Sequence, residues 1–229
     1  LKTLNLSQQK KPYSIILNGA DDINFNDKEN QIWSKKEPLR VVTHHWSPNI
    51  MKGLDVYKKL DRLLSSDDWR KKIEFTYIGN LPSGFNFQNT KVVKPISGKN
   101  LGKELSKHHV YITASNNEPA GMHHIEGAMS GLPILYLNSG GVTEYCEKYG
   151  MEYNRNNLKS KILDMKNELS IHKSNLDSYI YTGQKMVENY LKLFNFLLDN
   201  KEKYFLNKKN LEKVKLKNQY KIGSKYFYI

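Results

Sequence analysis

Apolar positions along this chain follow two periods. Short runs rich in β-branched and aromatic residues, YSIIL (13–17), RVVTHH (40–45), IEFTYIG (73–79), KVV (91–93), HVYIT (109–113) and LPILYL (132–137), read as strands. Between them the apolar residues fall three or four apart. Leu54, Tyr57, Leu60 and Leu64 mark one helix and place Tyr57, Leu60 and Leu64 in the core, while GKNLGKELSKH (98–108) and GMHHIEGAMSG (121–131) have helix length with Gly near both ends. This β-α-β-α alternation predicts an α/β fold, a Rossmann-like parallel sheet with helices on both faces. From about Asn156 to about Asn200 the pattern is helical throughout. It includes the amphipathic stretch MVENYLKLFNFLL (186–198), whose apolar run is interrupted by Glu188, Asn189, Lys192 and Asn195 and is too broken to cross a bilayer. The Lys-rich remainder carries no assignment.

Length and composition add bounds. With 229 residues, 38% of them hydrophobic, the chain can bury a proper core in one or two domains. The N-terminal LKTLNLSQQKK is polar and does not read as a signal peptide, and a single cysteine, Cys146, forms no internal disulfide. A reducing cytoplasm is the expected compartment, with Cys146 a small buried apolar residue. The net charge of +13 calls for an acidic partner. Arginine is confined to Arg40, Arg62, Arg70 and Arg155, so nearly all the positive charge is lysine, which suits nucleic-acid readout poorly. Residues 201–229 hold nine lysines against Glu202 and Glu212, a local +7.

The stretch SNNEPAGMHHIEGAMSGLP (115–133) sits at a particular place in this frame. HVYIT is a strand, SNNEPA the loop at its C-terminal end, and GMHHIEGAMSG the next helix. Ligands of open α/β sheets bind at that edge. Free N–H groups of the first helical turn, backed by the helix dipole, favour a phosphate, which Gly121 allows to approach. Glu118 on the loop and Glu126 over a turn into the helix can then accept hydroxyls on either side of it. Two hydroxyl acceptors around an anion site suit a nucleoside diphosphate sugar.

These residues resemble the C-terminal, donor-binding half of a retaining GT-B glycosyltransferase of the Glu-x7-Glu type, similar to glycosyltransferase family 4. The family's order of Glu, seven residues, Glu, a Gly-x-Pro turn and a Gly-Gly with a nearby Glu is met by Glu118, Glu126, Gly131, Pro133, Gly140, Gly141 and Glu144. NGAD (18–21) resembles the link into the second domain, and Lys52-Gly53 the phosphate-binding Lys-Gly. The match runs from about Leu17 to about Tyr149. One position departs: the Arg usual five residues before that Lys is here Ser47, which leaves His44, His45 or a residue elsewhere to substitute.

The resemblance implies transfer of a glycosyl group from a UDP-, GDP- or ADP-sugar with retention. It implies that Lys52 neutralises the diphosphate, Glu118 holds the sugar, Glu126 holds the ribose, and the backbone of Gly121, Met122 and His123 contacts phosphate or sugar. The base would be read around Lys94, Pro95 and Ile96. Residues 1–22 would then be the end of an acceptor-binding N-terminal domain and its linker, 23–185 the nucleotide-sugar domain, and 186–229 a helix and basic tail. On that reading the chain is a truncated and inactive half.

No cofactor or metal is expected, because the doublets His44-His45, His108-His109 and His123-His124 lack a Cys or carboxylate at ligand spacing. His123 and His124 remain open between donor pocket and helix packing. Two rival classes stay open as well: a non-catalytic nucleotide-sugar-binding module, and a nucleic-acid binder using the tail's lysines with Tyr204, Phe205, Tyr220, Tyr226, Phe227 and Tyr228. Nucleic acid is not the expected partner. The tail itself reads as a strap onto the first domain, an anchor on an anionic membrane surface, or a passive extension.

Overall fold

The computed structural model describes residues 13–201, 219–222 and 225–228. Residues 17–186 form one compact unit. Six strands make its sheet: β1 (Leu39–His45), β2 (Ile73–Gly79), β3 (Lys91–Val93), β4 (Val110–Thr113), β5 (Ile134–Leu137) and β6 (Gly150–Tyr153). All pair in parallel, in the order β3-β2-β1-β4-β5-β6. The strand order reverses between β1 and β4, so the chain leaves these two neighbours in opposite directions and opens a crevice at their C-terminal ends.

Alternation along the strands builds two cores. Leu39, Val41, Phe75, Tyr77 and Ile112 face α1 (Leu54–Leu63) and α6 (Leu158–Leu176), whereas Val42, Ile78, Tyr111, Ile134 and Tyr136 face α3 (Gly98–Leu105), α4 (His123–Met129) and α5 (Val142–Cys146). A short α2 (Asp67–Arg70) links α1 to β2. Tyr57, Leu60 and Leu64 are buried on the first face and Cys146 on the second, where burial pushes its thiol well above the ordinary value. Helix α6 docks through Leu158, Ile162, Met165 and Leu169, a single stripe at helical spacing.

Three expectations need correction. YSIIL (13–17) takes no strand assignment, and the first ladder contact is an isolated bridge from Ala20 to Thr182. Tyr13 and Ile15 are exposed, so that apolar run lacks the neighbouring strand that would have saturated its backbone. Strand β6 was not anticipated. Only Tyr153 of its four residues is buried, and GMEY at a sheet edge has no apolar signature.

The third correction concerns the long helical region, which is two helices, α6 and α7 (Gly183–Asp199). The chain between them packs Tyr179 and Tyr181 against Tyr149 and Tyr145, with ring centroids 4.7 and 4.9 Å apart. Tyr181 also donates its hydroxyl to the Glu144 carbonyl at 2.7 Å. Tertiary packing of aromatic side chains overrides local helical pattern here.

Residues 1–16 and 187–229 form a second unit. From Val187 onward α7 has no buried residue and exposes Tyr190, Leu191, Phe194 and Leu198. Strands β7 (Gln219–Ile222) and β8 (Lys225–Tyr228) pair antiparallel within the basic segment. The other residues of 202–229, which carry most of the strap or membrane reading, lie outside the described residues, as do residues 1–12. No helix among the described residues is long and apolar enough to cross a membrane.

Candidate active site at the β1–β4 crevice

The loop after β1 delivers Lys52. Residues Ile50–Lys52 form one 3-10 turn, capped by Asn49, whose side chain accepts from the Met51 N–H at 2.9 Å. The turn ends at Gly53, which holds a φ of 85° and lies so close to the Ala114 backbone that a Cβ would clash with it. The Asn116 N–H donates to the Met51 carbonyl at 2.7 Å, tying this loop to the one after β4.

That second loop carries Glu118. Asn117 adopts φ 49°, a left-handed conformation that Asn tolerates better than most residues, and its N–H donates to Ser139 Oγ at 2.7 Å. The Glu118 carbonyl accepts from the Gly141 N–H at 2.8 Å. Gly140, at φ 64°, presses directly on the Glu118 backbone, where any side chain would collide. The Gly-Gly motif thus holds the Glu118 loop from outside. Gly121 lies against the Glu118 side chain and the His123 ring.

Both carboxylates are engaged by basic side chains. Lys52 Nζ donates to Glu118 Oε2 at 2.5 Å, and His44 Nε2 lies 2.7 Å from Glu126 Oε2. Lys52, Pro95, Ile96, Met122, His123 and Glu126 line one cavity of about 350 Å³, within the range of small-ligand sites. Seven of the nine expected site residues therefore converge, six on the cavity and Glu118 through Lys52. Gly121 stands behind them, and Lys94 is exposed and does not line the cavity.

His45, His123 and His124 are not spare cations. His44 and His45 point to opposite faces of β1, as adjacent strand residues must: His44 to α4, and His45 to α1, where its Nε2 is 2.8 Å from the Tyr57 hydroxyl. The His45 and His123 rings meet at 4.8 Å and the His123 and His124 rings at 4.9 Å. Burial, with the neighbouring imidazoles and Lys52 adding repulsion, holds His45 and His123 well below the usual histidine range. His124 is lowered to about 3, chiefly by burial, and neither of its ring nitrogens has a hydrogen-bond partner. Among the residues lining the cavity, Lys52 alone carries a permanent positive charge, and Ser47, where an arginine was expected, contributes a hydroxyl. Among the described residues no group of three or more His, Cys, Asp or Glu is placed to hold a metal ion.

Several residues at the site were not singled out in the sequence, among them Ile78, Gly79 and Leu101 on the cavity wall. Trp46, 71% exposed, stands at the cavity's edge, and an aromatic directly after a strand was the available signal. Tyr111 lies beneath His44, and nothing in its strand context distinguished it from an ordinary core aromatic.

No family model and no curated protein matches this chain. Solved structures do. Sucrose-phosphate synthase from Thermosynechococcus elongatus aligns with a TM-score of 0.62 at 14% identity, over 81% of this chain and 53% of that one. AviGT4, a glycosyltransferase involved in avilamycin A biosynthesis, gives 0.62 at 14%, over 83% and 59%. The pneumococcal O-GlcNAc transferase GtfA, in complex with UDP and GlcNAc, gives 0.55 at 15%, over 80% and 38%. The chain shares the GT-B glycosyltransferase fold. It spans 38% to 59% of the length of these three proteins, and at such identity the likeness is one of fold.

Proposed function

We propose that this chain is the donor-binding half of a retaining glycosyltransferase, which takes a nucleoside diphosphate sugar and passes its glycosyl group to an acceptor held by another domain. The observation that carries this reading is that the Lys52–Glu118 pair and Glu126, which stands in the first turn of α4, gather at one cavity. Lys52 meets the diphosphate and offsets the charge that develops as it leaves, assisted by the N–H groups that begin α4. Glu118, already in contact with Lys52, accepts from hydroxyls of the sugar. Glu126 accepts from the ribose, and Pro95 and Ile96 pack against the base. Retention is supported by the likeness of the Glu118–Glu126 spacing to that of retaining enzymes.

Calorimetric titration with UDP, GDP and ADP tests the reading. Modest binding of at least one is expected, and no heat with any of them at millimolar ligand rejects it. Glu118→Gln refines it. The variant should bind free UDP no more weakly than the parent, because a phosphate no longer competes with a carboxylate for Lys52, while transfer by the enzyme with both halves is lost. A fall in UDP affinity would reassign Glu118 to the nucleotide.

A further inference from the structure

His44 and Glu126 are joined by a contact that reaches further into the sheet. His44 follows Thr43 near the end of β1 and turns its ring toward α4. Beneath it, Tyr111 of β4 is fully buried, and its hydroxyl oxygen accepts from the His44 backbone N–H at 3.0 Å. The same hydroxyl lies 3.1 Å from His44 Nδ1. With its oxygen already accepting, the hydroxyl donates its proton, which burial holds on, raising the phenol well above its ordinary value; His44 Nδ1 at 3.1 Å is the nearer acceptor and the His44 carbonyl, at 3.4 Å, the more distant one. Nδ1 is then the acceptor and Nε2 carries the hydrogen. That hydrogen points at Glu126 Oε2, 2.7 Å away, across side chains only 10% and 21% exposed.

We infer that Tyr111 and His44 form a positioning chain that fixes the Glu126 carboxylate, commits its Oε2 and presents its Oε1 to a vicinal diol, so that the site selects ribonucleoside over 2′-deoxyribonucleoside diphosphates. The inference rests on the reading of Glu126 as the ribose acceptor. It also answers what stands in for the expected arginine beside the Lys52 turn. His44 does not replace that cation at the phosphate; it spends its hydrogen on Glu126, and Lys52 faces the diphosphate without a second permanent charge from the cavity wall. A carboxylate free to rotate would offer either oxygen to any hydroxyl in reach. One pinned by a short hydrogen bond discriminates by geometry.

The test measures the affinities of UDP, GDP and ADP, each against its 2′-deoxy counterpart, together with inorganic pyrophosphate. The parent should prefer the ribonucleotide by about tenfold or more, the usual effect of losing one charge-assisted hydrogen bond. His44→Phe should bring that ratio close to one and leave pyrophosphate affinity unchanged. Tyr111→Phe, which keeps the ring in its slot, should lower the ratio less, and His44→Gln should restore part of it through its amide donor. Imidazole 15N shifts of the parent should show His44 as the Nε2–H tautomer, a readout that needs no ligand. A parent that does not discriminate, an unchanged ratio in His44→Phe with near-parental melting, equal losses for all ligands including pyrophosphate, or an Nδ1–H tautomer would each overturn the inference. Failure of the parent to bind any nucleoside diphosphate would overturn the donor-site reading and the diol selection with it, while the 15N spectrum would still report whether the hydrogen-bonded chain exists.

Discussion

The β1–α1 and β4–α4 junctions both run from strand to loop to helix at one edge of the sheet, yet they hold their site residues by opposite means. The β1 loop is shaped mainly by its own residues: a 3-10 turn with its own Asn49 cap presents Lys52, with one backbone hydrogen bond from Asn116 to Met51 tying it to the β4 loop. The β4 loop is supported from outside, by Ser139, Gly140 and Gly141 pressing on Asn117 and Glu118. A local turn is written into a few adjacent residues. A braced loop depends on more distant chain, here Gly140 and Gly141, whose lack of a side chain lets the Glu118 and Pro119 backbone close on them. The two junctions meet in the histidine stack of His45 from β1 and His123 and His124 from α4.

The largest effect should come from breaking that meeting point with acid. His45, His123 and His124 are buried neutral, with His124 lowered to about 3, so the unfolded chain binds more protons than the folded one below the ordinary histidine value. Stability is therefore full above about pH 6.5 and falls as pH drops below it. Each of the three contributes a loss on the order of 1 kcal/mol at pH 5.5, and His108 and His109, lowered to about 4 and about 3 chiefly by burial, add to the same slope. Thermal melts between pH 7.5 and 5.5 should show a steep drop. A flat profile over that window would mean that the stack titrates normally.

Bracing comes next. Gly140→Val adds a β-branched side chain at φ 64° and drives it into the Glu118 backbone, at a cost of roughly 2–4 kcal/mol. Gly84 has a similar φ of 75° but open space around it, so Gly84→Val meets the backbone strain alone and should cost about half as much. Equal denaturant midpoints for the two variants would remove the bracing role of Gly140.

On the β1 side, Lys52→Ala should lower the melting temperature modestly, because the Asn49-capped turn persists but the Glu118 carboxylate, with its side chain only 12% exposed, loses its partner. It should weaken UDP, GDP and ADP alike by about 1–3 kcal/mol, measured by calorimetry. A loss confined to one nucleotide would place Lys52 near the base instead. The smallest effect is at Asn117. Asn117→Ala should cost about 1 kcal/mol through its left-handed φ of 49°, whereas Asn117→Gly should stay within about 0.5 kcal/mol of the parent. Equal losses in both variants would trace the effect to the Asn side chain and not to the backbone.

Much of the sheet was legible because its central strands are buried on both faces and read as apolar runs. IEFTYIG coincides with β2 residue for residue; KVV coincides with β3 as well, although that strand lies largely exposed at the sheet edge and was legible through its β-branched valines. Illegible elements are those whose identity lies in their neighbours. β6 is a strand only because β5 offers it a ladder, and YSIIL, apolar enough to be one, is not. The break between α6 and α7 has no proline and is made by tyrosines meeting tyrosines from the α5 region.

At the candidate site, residue spacing alone determined that Glu118 and Glu126 straddle a strand-end loop and the first turns of a helix, since strand and helix periods fix where such residues fall. Lys52 enters the site through the likeness of Lys52-Gly53 to a phosphate-binding Lys-Gly pair, and not through spacing. What only the tertiary structure decided is which groups pair: Lys52 with Glu118, and Glu126 with His44 on Tyr111, across 66, 82 and 67 residues of chain. Local sequence carries periodicity, and periodicity fixes the face on which a side chain stands. Hydrogen bonds between faces of different elements depend on the order in which strands are laid side by side, and the reversal between β1 and β4 is what brings His44 over Tyr111 and under Glu126.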